Sequence, residues 1–100
     1  MDKIVVGSAE PLLINLTDQL SLITDAADMT PTFVVYDDAG TVTQTSSAAS
    51  ATGMQLSCVI DTTVGTWTSA RYAVYVTLQG VDGPIVKGPY YFYAETIGDT

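Results

Sequence analysis

The groups in this chain that can carry chemistry are eleven carboxylates, three cations and one thiol, with no histidine at all. Without an imidazole there is no Ser-His-Asp or Cys-His nucleophile, and the common zinc and non-haem iron ligand sets are out of reach. Cys58 is the one side chain that could attack a substrate unaided, but it falls in phase with Met54, Leu56 and Ile60. That spacing reads as the buried face of a strand, where a free cysteine behaves as a small apolar residue. Asp25, Asp28, Asp37 and Asp38 would surround a calcium ion if their loops converged. Their spacing does not follow the acidic positions of an EF-hand loop, and turn-forming aspartates are the plainer account. Glu10 and Glu95 are the remaining pair to weigh for acid-base work on a glycoside. Gly80, Gly83 and Gly88 sit in hairpin positions rather than ahead of a helix, so they make no phosphate loop. The expectation is a non-enzyme with no cofactor and with no catalytic, cofactor-binding or metal-binding residues.

Aromatic side chains offer more. Phe33, Trp67 and Tyr72 read as core, with Trp67 plugging one end of the fold. Tyr75 is out of phase with the apolar set around it, and Tyr90, Tyr91 and Tyr93 cannot all face inward on one alternating strand. Tyrosine on an exposed sheet is a rigid, amphipathic contact residue, although cross-strand pairing on a solvated face accounts for it equally well. The expected interaction surface is therefore Tyr75, Tyr90, Tyr91 and Tyr93.

Charge narrows the partners. The net charge is -8, with Lys3, Arg71 and Lys87 as the cations. Phosphate binding needs clustered Lys and Arg, so nucleic acid is excluded as an expected partner, and anionic membrane surfaces are disfavoured for the same reason. The single cysteine forbids an intrachain disulfide, which fits folding in a reducing cytoplasm. The apolar run near residue 4 is too short for a signal peptide or a membrane span.

The elements that would position these groups are strands. Apolar residues recur at period two between turn signals, and no stretch sustains a helical period. Residues 4–7 form a short first strand. Residues 12–17 form the next, with Leu12, Ile14 and Leu16 on one face. Residues 18–30 are the least regular part, where Leu20, Leu22 and Ile23 make a short helical turn or a covering loop. Phe33 and Val35 point inward ahead of a tight turn at Asp37-Asp38-Ala39-Gly40, in which Gly40 takes the positive φ. The returning strand, residues 41–45, points Val42 inward, and residues 46–52 are a small-residue connection. Leu56, Cys58 and Ile60 mark one more buried face. Tyr72, Val74, Val76 and Leu78 form the strongest alternating run, and residues 85–95 are the final strand, with Gly88-Pro89 marking an edge or a bulge. One hundred residues is the size of a single domain. The expected fold is an all-β, immunoglobulin-like antiparallel β-sandwich of about seven strands, a single domain over residues 1–100 with extended N- and C-terminal segments. A small barrel is the alternative.

Three stretches carry a family resemblance. They are Thr32-Phe33-Val34-Val35-Tyr36-Asp37-Asp38-Ala39-Gly40-Thr41-Val42, then Gly65-Thr66-Trp67 leading into residues 71–78, then Gly80 to Gly83 turning into Gly88-Pro89-Tyr90-Tyr91-Phe92. In this order they resemble the small immunoglobulin-like domains of tailed-bacteriophage virion proteins, in which a strand–Asp-Pro-Asp-Gly–strand hairpin precedes a Pro-Gly-Thr-Tyr lead into a long strand. The resemblance spans residues 12–95. This chain departs by having Trp67 where the family often has tyrosine, and by a longer loop after it. The family shares no catalytic residues. The resemblance implies a virion structural protein made in the host cytoplasm, above all a capsid-associated decoration (cement) protein binding the assembled shell in many copies. A neck, tail or baseplate protein is the alternative within that class. The implied partners are other virion proteins, such as major capsid or tail proteins, together with further copies of the chain, its terminal segments 1–10 and 94–100 and its sheet edges bridging neighbours. A carbohydrate-binding or adhesive module, stacking sugars on Trp67 and residues 90–93, is the alternative of another class.

Overall fold

The computed structural model describes residues 2–16, 29–53, 55–80 and 83–97. Asp25, Asp28, Met54 and nearly all of the irregular segment 18–30 lie outside the described residues. Among the described residues eight strands follow one another: β1 (Asp2–Val5), β2 (Ala9–Asn15), β3 (Thr32–Tyr36), β4 (Val42–Ala48), β5 (Ser50–Thr52), β6 (Gln55–Asp61), β7 (Ala70–Gly80) and β8 (Gly83–Glu95). They form a five-stranded sheet in the order β1-β8-β7-β3-β4 and a three-stranded sheet in the order β2-β6-β5. The fold is an all-β sandwich, and no helix among the described residues is long and apolar enough to cross a membrane.

Alternation puts the core between the sheets. Leu12, Ile14 and Leu16 meet Leu56, Cys58 and Ile60 from one sheet and Phe33, Val35, Val74, Val76, Leu78 and Phe92 from the other. One end is closed by aromatics: Tyr72 stacks on Phe92 with centroids 5.6 Å apart, and Trp67 leans on Tyr72 at 4.8 Å. Trp67 is only 6% exposed, and its indole N–H donates to the Val64 carbonyl at 2.8 Å. The Asp37–Gly40 turn forms as its residues require. One Asp37 carboxylate oxygen accepts the backbone N–H groups of Ala39 and Thr41, each at 2.9 Å, and Gly40 takes φ +84°.

Three features depart from the sequence-based expectation, and a fourth meets it. First, Val42 is not in the core: it is 46% exposed. The β3–β4 register slips twice, pairing Phe33 with Ser47, Val35 with Gln44 and Tyr36 with Val42. Each bulge inserts an extra residue in β4 and turns its side chains over. Second, residues 46–52 are not a plain connection. The chain runs on as β4 to Ala48 and crosses to the other sheet as β5. Small polar residues show no alternation, so the pattern was silent there.

Third, β1 pairs with β8 in parallel, Asp2 opposite Phe92 through Val5 opposite Glu95, so one pair in the sandwich is not antiparallel. The N-terminal segment is thereby built into both sheets rather than held out as an arm. The chain crosses from β1 to β2 at Gly7, φ +103°, over Thr62. The Thr62 hydroxyl accepts from Gly7 N–H at 2.9 Å and Ser8 N–H at 3.1 Å and donates to the Ser8 carbonyl at 2.6 Å. Fourth, Gly88-Pro89 is a bulge in a strand that is interior at one end only. Val74 faces Tyr90 and Val76 faces Lys87, leaving two β8 residues against Tyr75 alone, while β1 covers only residues 92–95. A Cβ at Gly88 would stand 2.8 Å from the Val74 carbonyl oxygen and 3.1 Å from the Tyr75 ring.

Candidate interaction face

The outward side of the five-stranded sheet is ordered by register. Tyr36 of β3, Ala73 of β7 and Tyr91 of β8 lie in one row across three strands. The next row holds Val34, then Tyr75, then the Gly88-Pro89 bulge; the one beyond holds Thr32, Thr77 and Val86. On the other side of the first row stand Arg71, Tyr93 and Lys3. A methyl group thus sits between two tyrosines, and this makes an open depression of about 590 Å³. Its floor is Ala73, Val34 and Thr77, and its walls are Tyr36, Tyr75, Tyr91 and Val86.

The walls are held by mutual contact. Tyr36 and Tyr75 meet edge to face, with centroids 5.6 Å apart. The Arg71 guanidinium lies 4.2 Å over the Tyr91 ring centre, and its Nε is 3.4 Å from an Asp38 oxygen. Contacts of this exposed kind contribute on the order of 0.5–1 kcal/mol each. They set side-chain positions more than they stabilise the fold. Asp38 and Asp37 follow directly on β3, so the hairpin turn brings two carboxylates to the end of the depression that Arg71 closes.

Three of the four expected surface residues lie on this face: Tyr75, Tyr91 and Tyr93 are 36%, 41% and 38% exposed. Tyr90 does not join them. It is half-buried and packs against the core, because it shares the phase of buried Phe92 and Ala94 and faces Val74 across the ladder. Tyr36, Ala73 and Val34 complete the face. Alternation from Phe33 and Val35 turns Tyr36 and Val34 outward, but their meeting with Tyr91 depends on pairings between strands distant in sequence.

Apart from Asp37 and Asp38, the described groups weighed for chemistry lie elsewhere. Cys58 is buried among apolar side chains, and burial pushes its thiol up to about 12. Glu10 accepts the Ser8 hydroxyl, and Glu95 pairs with Lys3 at 3.3 Å. Hydrogen bonds from the Thr63 hydroxyl and N–H hold the Asp61 carboxyl below its ordinary value while closing the turn after β6. Among the described residues, no three His, Cys, Asp or Glu side chains converge as a metal site would need. The depression instead offers tyrosine rings and hydroxyls, a methyl floor and one guanidinium–carboxylate pair. That is equipment for contact.

No model of a known protein family matches the chain, and no curated protein matches it by sequence. Among solved structures, CopC from Methylosinus trichosporium OB3b is similar to it with a TM-score of 0.53 and 14% identity, over 99% of this chain and 87% of that one. At that identity the likeness concerns the sandwich fold alone.

Proposed function

We propose that this chain is a structural protein of a tailed-bacteriophage virion, a decoration or cement protein that docks on the assembled capsid in many copies through the outer face of its five-stranded sheet. The observation that carries this reading is the row of outward tyrosines on a sandwich whose edges are guarded. β1 is four residues long and carries Asp2 and Lys3. β2 has Glu10 and Pro11. β4 is bulged twice, β5 is three residues long, and the uncovered half of β8 contains Pro84, Lys87 and Pro89. Short length, prolines, charges and bulges all discourage strand addition. Association is left to a face, and the tyrosine-rich face is where compact aromatic anchors can be buried with little loss of side-chain freedom. The phage class itself rests on the resemblance over residues 12–95.

In this reading the chain is not an enzyme, holds no cofactor, and has capsid or tail proteins and further copies of itself as neighbours in the virion. The carbohydrate-binding alternative loses its main ring, since Trp67 is spent on the core. Quantitative mass spectrometry of purified virions is the test. A copy number matching the shell lattice is expected; ring-like stoichiometry moves the chain to the neck, tail or baseplate. Absence from intact particles overturns the proposal.

A further inference from the structure

We infer that the depression between Tyr36 and Tyr91 receives an extended, proline-bearing segment of a partner protein with a lysine or arginine lying toward the Asp37–Asp38 end. This rests on the outer sheet face being the docking surface and specifies what enters it. Three classes of segment can be compared with the geometry. A β-strand needs a free sheet edge, and among the described residues each edge is guarded as set out above. An α-helix is about 10–12 Å across with its side chains. Tyr36 and Tyr91 stand on strands two ladder steps apart, roughly 10 Å, and they flank the floor with Ala73 between them. A helix backbone is therefore held at the rim, and it reaches the methyl floor only through single side chains.

A polyproline-II segment is thinner. It has no internal hydrogen bonds, so its carbonyls stay available to tyrosine hydroxyls, and its flat pyrrolidine rings fit slots between aromatic walls. It is also already ordered before it binds, which keeps the entropic cost low. Charge supplies the direction. The end of the depression holds Asp37 and Asp38 against the one guanidinium of Arg71, a local excess of one negative charge on a chain whose net charge is -8. A cationic partner residue is drawn there, and an acidic one is repelled.

The probes are three synthetic peptides: Pro-Pro-Leu-Pro-Pro-Arg, the same peptide ending in glutamate, and one with every proline replaced by alanine. They are titrated into the ¹⁵N-labelled full chain and followed by amide chemical shifts. The expected result is saturable shifts centred on Ala73, Tyr91 and Tyr36, weakened about tenfold or more by either change, tenfold being about 1.4 kcal/mol. Ala73→Arg, which fills the slot, abolishes the shifts while amide dispersion shows the fold intact. Leu13→Ala, exposed on the outer side of the three-stranded sheet, leaves them unchanged. Should Ala73→Arg perturb the fold, Tyr91→Ala is the second variant, with the same loss expected. Shifts elsewhere on the surface, binding that needs the arginine but not the prolines, or no binding at all overturns the inference. None of these outcomes bears on whether the chain is present in virions, so failure here stays distinct from failure of the proposed function.

Discussion

Replacing Thr62 with valine keeps the shape of a 4% exposed side chain and deletes one hydroxyl. That hydroxyl accepts the N–H groups of Gly7 and Ser8 and donates to the Ser8 carbonyl. Ser8 has substitutes, because its N–H also reaches the Val5 carbonyl at 3.2 Å and its carbonyl is held by the Thr62 N–H at 3.0 Å. Gly7 has only the hydroxyl. The variant therefore loses two hydrogen bonds that are partly replaced and leaves one partly buried donor without a partner, which alone costs about 1–3 kcal/mol. A small gain from the added methyl offsets part of this, so the net expectation is a loss of about 2 kcal/mol. In a domain of this size each kcal/mol moves Tm by roughly 4–8 °C, giving a fall of about 8–16 °C. Urea unfolding followed by circular dichroism measures it, with an unchanged m-value if the transition stays two-state. Thr62→Ser, which keeps the hydroxyl, loses less than about 1 kcal/mol. Hydrogen exchange adds a local readout: the β1 amides, and the β8 amides that β1 covers, exchange faster in Thr62→Val. A Thr62→Val protein within about 0.5 kcal/mol of the parent would refute the role assigned to this crossing.

Other expectations follow from equally local causes. Gly88→Ala meets both a φ of +135° and the Val74 carbonyl at 2.8 Å, whereas Gly83→Ala meets only a φ of +129° with open space around it. The first loses about 3 kcal/mol or more and the second about 1–2 kcal/mol in the same unfolding assay, and equal losses would contradict the close approach. Gln44 bridges the sheets like a peptide group, its amide nitrogen donating to Val59 O at 3.1 Å and its oxygen accepting from Asp61 N–H at 3.0 Å. Gln44→Ala leaves this exposed rim to water and costs about 1–2 kcal/mol, while no change would show the bridge to be incidental. Because burial raises the Cys58 thiol from 9.0 to about 12, the folded chain keeps its proton while the unfolded chain loses it. Stability from this group is complete below pH 9 and declines as pH rises toward 12, and a Cys58→Ala protein with the same alkaline loss would exclude the thiol as its cause. Labelling of Cys58 in the native protein at pH 8 proceeds at the unfolding rate, and rapid labelling would show the thiol to be accessible.

The sandwich was legible because alternation is a property of single strands. Leu12 and Ile14, Phe33 and Val35, Leu56 to Ile60 and Tyr72 to Leu78 each announce a buried face, and the same period turns Tyr75, Tyr91 and Tyr93 outward. Asp37 and Gly40 likewise carry their turn within four residues. Bulges interrupt that logic. Two in β4 put Val42 on the surface and Gln44 against the other sheet, and neither leaves a mark in a run of threonine and serine. The phase of Tyr90 was ambiguous until buried Phe92 settled it.

Residue types alone set the available chemistry: an acidic surface, no histidine, and more tyrosines than a small core can hold. Which of them meet is settled by the pairing of distant strands. The row Tyr36–Ala73–Tyr91 needs β7 to pair with β3 on one side and β8 on the other, in registers set by a bulge opposite Tyr75 and by packing across the core. Side-chain period is encoded by neighbours two positions apart, whereas register between distant strands follows from how the whole core closes. The depression is a product of the second.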